Sequence, residues 1–234
     1  EIVGENGVPN RNILVVGCVS FDTIHLEQSG ERSTHLTVGG AGLYTALAAA
    51  QSVNCSASAG PTDRDEVVKV SSGSDVTLFA PRPRHLPASL AFIAERLNWI
   101  GPLVEIDQMP ALEIVHHGNG HANLLGANWG AEFLMRASDD ALIAMVRESG
   151  DYDCIHVAAL SSAIYQLEFV QRLRQLFAQS RSLSSLKCAA VTATDATDSG
   201  PGPGTGTLFS AGTYARAIKS DIESVRSLIE HCDL

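Results

Sequence analysis

The chain has 234 residues, 26 acidic against 16 basic for a formal net charge of -10, with 45% apolar and 18% charged residues. That length carries one large α/β domain with or without a small appendage, buries a substantial core and excludes two full domains and general disorder. The acidic balance repels phosphate backbones, and the basic residues, such as Arg82 with Arg84 or Arg172 with Arg174, are scattered without interleaved aromatics, so no nucleic-acid partner is expected.

In chain order, residues 1 to 11 read as a loose polar arm, and Ile13 to Val19 as a buried strand whose unbroken apolar character suits a parallel sheet covered on both faces. Residues 23 to 38 read as a small hairpin turning near Ser29 and Gly30. Gly39-Gly40-Ala41-Gly42 then opens an alanine-rich helix from Leu43 to Ser52. A weaker strand is predicted at Val53 to Ala59, a helix at Asp63 to Val70, a strand at Val76 to Phe79 and a helix near Ser89 to Leu97. Between Leu103 and Leu125 short β-like pieces return, Leu103 to Ile106, Leu112 to His116 and Ala122 to Leu125. With residues 23 to 38 they make a small sheet standing off the main one. From Ser138 the α/β rhythm resumes: a helix through Met145 and Val146, a strand at Cys154 to Ala159, a helix at Tyr165 to Ala178 and a strand at Cys188 to Thr192. A Gly-Pro loop at Ser199 to Gly206 follows, then a strand at Thr207 to Ser210 and a helix at Asp221 to His231, with Cys232-Asp233-Leu234 as the start of another strand.

No stretch reaches the ~18 apolar residues of a membrane span, and no basic leader precedes an apolar signal core, so a cytoplasmic protein is expected with no membrane partner. The five cysteines are isolated and form no CxxC pair. Cys18, Cys55, Cys154 and Cys188 lie in or beside apolar runs and read as small core residues. His116, His117 and His121 flank a Gly-Asn-Gly turn without a carboxylate or cysteine at ligand spacing, which favours polar lid residues over a metal site. Ser161 and Ser162 lack the surroundings of a hydrolase nucleophile, and Trp99 and Trp129 read as buried.

The strongest chemical feature joins a strand running into Ser20-Phe21-Asp22, a hairpin, and Gly39-Gly40-Ala41-Gly42 at a helix start. A carboxylate at the carboxyl edge of an α/β sheet can accept two hydroxyl hydrogen bonds, and glycines at a helix start let a ligand approach backbone N–H groups. A plain strand, turn and helix packed by its glycines is the structural alternative. A dinucleotide-binding oxidoreductase is disfavoured because no G-x-G-x-x-G turn follows the first strand directly.

These residues resemble the ribokinase-like, or PfkB, family of carbohydrate and nucleoside kinases, in which a first strand runs into an Asp, lid strands follow and a G-G-x-G turn opens an alanine-rich helix. Gly60-Pro61-Thr62-Asp63 and Gly126-Ala127-Asn128 look similar to later family segments. The likeness is specific over residues 13 to 52. It implies a mainly parallel sheet flanked by helices, spanning residues 12 to 234, with a β-sheet lid at about 23 to 38 and 103 to 125. The substrate implied is a sugar or nucleoside, held by Asp22, Gly39, Gly40, Gly42, Tyr44 and Asn128. The expected assembly is a homodimer. Where many sugar kinases carry Lys and Asn in the turn, this chain has Ala41 and Tyr44, so the sugar's identity does not carry over.

The family's carboxyl-terminal D-T-x-G-A-G-D-like segment has no match. Asp195 to Gly200 is a distant echo, but Pro201 and Pro203 remove N–H donors, and Ser199 to Gly206 reads as a loop and not a phosphate cradle. The expectation is therefore a fragment of a longer kinase: the catalytic Asp lies beyond Leu234, ATP and Mg2+ serve the full-length protein, and this chain alone is inactive. A kinase-like protein that senses a sugar without catalysis is the alternative.

Overall fold

The computed structural model describes residues 12–28, 31–57, 75–117, 120–149, 152–191, 207–212 and 221–233. Five short strands, β1 (Ile13–Val16), β4 (Val76–Phe79), β6 (Asn98–Ile100), β10 (Cys154–Val157) and β11 (Leu208–Ala211), form one parallel sheet in the order β11-β10-β1-β4-β6. Central β1 is apolar throughout because both its faces are covered. Leu14 and Val16 join Phe79, Ile155 and Val157 against one helical layer, while Val15 joins Val76, Leu78 and Trp99 on the other side.

The first layer comprises α3 (Asp140–Ser149), α4 (Ala163–Val191) and α5 (Ile222–Glu230). Leu142, Val146, Phe169, Leu173, Phe177 and Leu228 fill it. The second comprises α1 (Ala41–Ala57) and the short α2 (Ala91–Arg96), which supply Leu43, Ala46, Ala50 and Ile93. Helix starts use local acceptors: Ser162 Oγ takes the Tyr165 N–H at 3.2 Å, and Asp221 Oδ1 takes that of Ser224 at 3.1 Å.

A second sheet stands off the first. It contains β2 (Ser20–Gln28), β3 (Glu31–Gly39), β8 (Ala111–His116) and β9 (Ala122–Asn128), in the order β3-β2-β8-β9. Two antiparallel hairpins meet along the parallel pair β2 and β8, with a bulge between Glu113 and Ile114. β5 (Arg82–Pro83) and β7 (Leu103–Val104) form a separate two-residue parallel pair. Among the described residues, no helix is long and apolar enough to cross a membrane.

The mainly parallel sheet flanked by helices, and the small β lid, are as the sequence led us to expect. Four local readings are corrected. The first strand stops at Val16, so Asp22 belongs to the lid strand β2 and not to the end of β1. Val53 to Ala57 continue α1 and Cys188 to Val191 continue α4, where strands were predicted. Leu103 and Val104 pair with β5 instead of joining the lid, and the edge strand Asn98–Ile100 was missed. The helix predicted at 63 to 70 and the Gly-Pro loop at 199 to 206 lie outside the described residues, as do the side chains of Cys55 and Cys188.

Candidate functional site: a buried carboxylate at a helix start

Between β1 and β2 the chain turns through Gly17, Cys18 and Val19 at the carboxyl edge of the parallel sheet. Helix α1 starts against this turn because two glycines let backbone touch backbone. A Cβ on Gly42 would lie 2.7 Å from the Cα and carbonyl carbon of Gly17, and one on Gly17 would lie 2.6 Å from the Cα of Gly42. Gly40, at φ +108°, adopts a left-handed backbone, and a Cβ there would collide with the Cys18 carbonyl, so the position is open to glycine alone. The Leu43 N–H donates to that same carbonyl at 3.3 Å.

Asp22 reaches this junction from the lid. It is 6% exposed and pairs with Thr37 on β3 and Leu112 on β8. Its carboxylate abuts Gly39: any Cβ there would collide with Oδ2. Asp22 Oδ1 and the nearby Ser20 Oγ are both buried without a hydrogen-bond partner among the described residues. Burial pushes the Asp22 carboxyl above its ordinary pKa. Unmet buried acceptors of this kind mark a place where a ligand hydroxyl or water belongs.

On the Asp22 face of the lid, the next cross-strand row comprises His35, Ile24, Ile114 and Leu124. That row is mostly apolar. The other face carries polar cross-links: His25 bonds Thr34 Oγ1 at 2.9 Å and Glu113 Oε1 at 2.8 Å. At the tip, His117 bonds Glu27 Oε2 at 2.9 Å and Asn123 at 3.0 Å.

Asp22, Gly39 and Gly40 converge. The other three sequence-predicted residues have further attachments. Gly42 is occupied in packing on Gly17; Tyr44 is 58% exposed and donates its hydroxyl to the Val38 carbonyl at 3.2 Å; Asn128 is exposed and accepts the Gly130 N–H at 3.0 Å, closing the turn that leaves β9.

Sequence reasoning missed two polar groups. Ser20 was noted only as part of the strand end. Glu132, wholly buried, sits in the 3-10 turn Gly130–Leu134 with Oε1 accepting the Ser161 N–H at 2.8 Å and Oε2 unpaired. A carboxylate inside the run Ala131-Glu132-Phe133-Leu134-Met135 was the available signal. Both acids act on Cys18: its thiol is pushed up to about 12, first by burial, then by the charge of Glu132, with Asp22 adding to it. It is an inert core thiol here.

No protein-family model matches the sequence, and neither does any curated protein. Solved structures do match in three dimensions. A ribokinase from Giardia lamblia aligns with a TM-score of 0.58 at 13% identity, covering 93% of this chain and 56% of that one. Adenosine kinase from Schistosoma mansoni, in complex with 2-fluoroadenosine, gives 0.58 at 10% identity, with coverage of 94% and 61%. Adenosine kinase from Anopheles gambiae, in complex with a di(adenosine) tetraphosphate, gives 0.55 at 11% identity, with coverage of 97% and 66%. At such identities the likeness is one of fold, and the fold is the ribokinase-like, PfkB type. The chain spans between 56% and 66% of the length of those structures.

Proposed function

We propose that this chain is the sugar- or nucleoside-binding part of a cytoplasmic, homodimeric PfkB-type kinase that phosphorylates a hydroxyl of its guest from ATP. The observation that carries the proposal is the buried carboxylate of Asp22, with Oδ1 unmet, set against Gly39 and Gly40 at the start of α1 and beneath a separate β sheet. An unpaired carboxylate oxygen and a neighbouring unpaired hydroxyl offer acceptors, and from Ser20 a donor, for two adjacent hydroxyls of a polyol. A lid over that point excludes water, which would compete with the guest as nucleophile in phosphoryl transfer. The fold shared with ribokinase and adenosine kinases supports the same reading.

Among the described residues no three His, Cys, Asp or Glu side chains gather as a metal site, and Asp195 to Gly200 lies outside them. In this reading Asp22, Gly39 and Gly40 bind and orient the guest.

The test is a thermal-shift panel of ribose, fructose, other sugars and nucleosides on the wild-type chain and Asp22→Asn. At least one polyol should raise the wild-type Tm, and the substitution should weaken its binding about tenfold or more, the cost of a lost hydrogen bond to a charged group. Equal shifts in both proteins remove Asp22 from the site.

A further inference from the structure

Glu132 is harder to explain by folding alone than any other polar residue in the core. Its side chain is wholly buried, one oxygen has no partner, and no Lys, Arg or His among the described residues forms an ion pair with it. Burial raises its pKa, with the Ser161 side chain and N–H holding it down. A carboxylate left half-satisfied in a core costs stability, and an apolar side chain of similar size would cost less. Such groups persist where function needs them.

Its position says what that need is. The turn Gly130–Leu134 is where the chain comes back from lid strand β9. At Gly130, φ +49°, an added Cβ would collide with the backbone of Gln108 and Met109, the segment that leads into β8, so both roots of the β8–β9 hairpin lie against each other here. From this crossing the Glu132 side chain reaches the turn between β10 and α4 at the carboxyl edge of the sheet, through Ser161. Tyr165, in the first turn of α4, donates its hydroxyl to the Glu132 carbonyl at 3.1 Å and to that of Met135 at 2.6 Å. One residue thus ties the root of the lid to the floor of the crevice beside Cys18.

We propose that Glu132 is a positioning residue of the Asp22 pocket, joining the hinge of the β8–β9 lid hairpin to the Ser161 turn so that the lid's stance over Asp22 depends on it. This rests on the assignment of the Asp22 pocket made above. Glu132 does not touch the guest, since none of it is exposed. It acts through its bond to Ser161, and β8 carries the effect directly to Asp22 because Leu112 is the cross-strand neighbour of that carboxylate.

Hydrogen exchange by mass spectrometry on wild type, E132L and E132Q tests the joint without any ligand. E132L fills the same space but deletes the acceptor; E132M replaces it if E132L does not fold. E132Q keeps an acceptor for the Ser161 N–H. The expected result is about tenfold faster exchange at Ser161, in residues 130–135 and along β8 and β9 in E132L, with β1 and β4 unchanged and with wild-type rates restored in E132Q. Faster exchange confined to residues 130–135 and Ser161, or an E132Q protein as loose as E132L, overturns the proposal. For whichever of ribose, fructose or adenosine the wild type binds, affinity should also fall about tenfold in E132L and recover in E132Q; unchanged affinity in E132L overturns it too. If Asp22→Asn alters no binding, the pocket assignment fails, and the exchange pattern still decides whether Glu132 joins lid to floor.

Discussion

Asp22 is held where a carboxylate is uncomfortable: in a 6%-exposed position, against a glycine, with one oxygen unmet. Because burial raises its pKa, the folded chain keeps its proton to higher pH than the unfolded chain does. The sign follows: stability is lost as pH rises from the ordinary carboxylate range through the raised value, and is flat above it. Asp22→Asn should therefore be more stable than wild type at neutral pH, by about 1 kcal/mol, the usual gain from relieving a strained functional site. The advantage should shrink as pH falls through the raised value, because the wild-type carboxyl then becomes neutral. Urea unfolding across that range measures it, and a pH-independent difference would show that Asp22 is not the strained group. The residue itself was legible in the sequence as an acid just past an apolar strand. Its placement on β2, and the exposed, outward-turned Tyr44, were not, because two residues near in sequence can lie on opposite sides of a strand-to-lid turn.

Helix α1 is positioned by its first turn. Gly17 and Gly42 touch backbone to backbone, and Gly40 can take its left-handed conformation only without a Cβ. Gly42→Val should push the helix start off β1, cost more than about 2 kcal/mol through overpacking at a rigid backbone contact, and abolish polyol binding by moving Gly39 and Gly40. Chemical unfolding together with the ligand panel checks this; a variant of normal stability with intact binding would mean that the contact carries no load. The glycines signalled this helix start clearly in the sequence. The far end did not read as well. Val53 to Ala57 has the β-branched and small residues of a weak strand, yet it continues α1, and Cys188 to Val191 continues α4. Propensity is a weak prior over a few residues, and a helix already nucleated extends one bond at a time.

Across the whole molecule, two apolar layers clamp the parallel sheet, while Phe21 and Val38 at the base of the lid pack against the core cluster that includes Val104 and Met109. Further out, Leu26, Leu36, Leu124 and Leu125 are exposed. Lid amides should therefore open by local motions at a fraction of the free energy needed to expose β1, β4 and β10. Native-state exchange should separate them by several kcal/mol, with a bound polyol slowing the lid more than the core; uniform protection throughout would show that lid and core unfold as one unit.

Alternation, glycine turns and alanine content were enough to anticipate the α/β class and a small β sheet standing off the main one, because each depends on short-range periodicity or on backbone space that only glycine leaves. The strand order, the helical fate of residues 53 to 57 and the meeting of Glu132 with Ser161 were decided by tertiary packing. Those outcomes depend on which distant surfaces find each other, and a buried carboxylate in an apolar run shows what it serves only once its neighbours are in place.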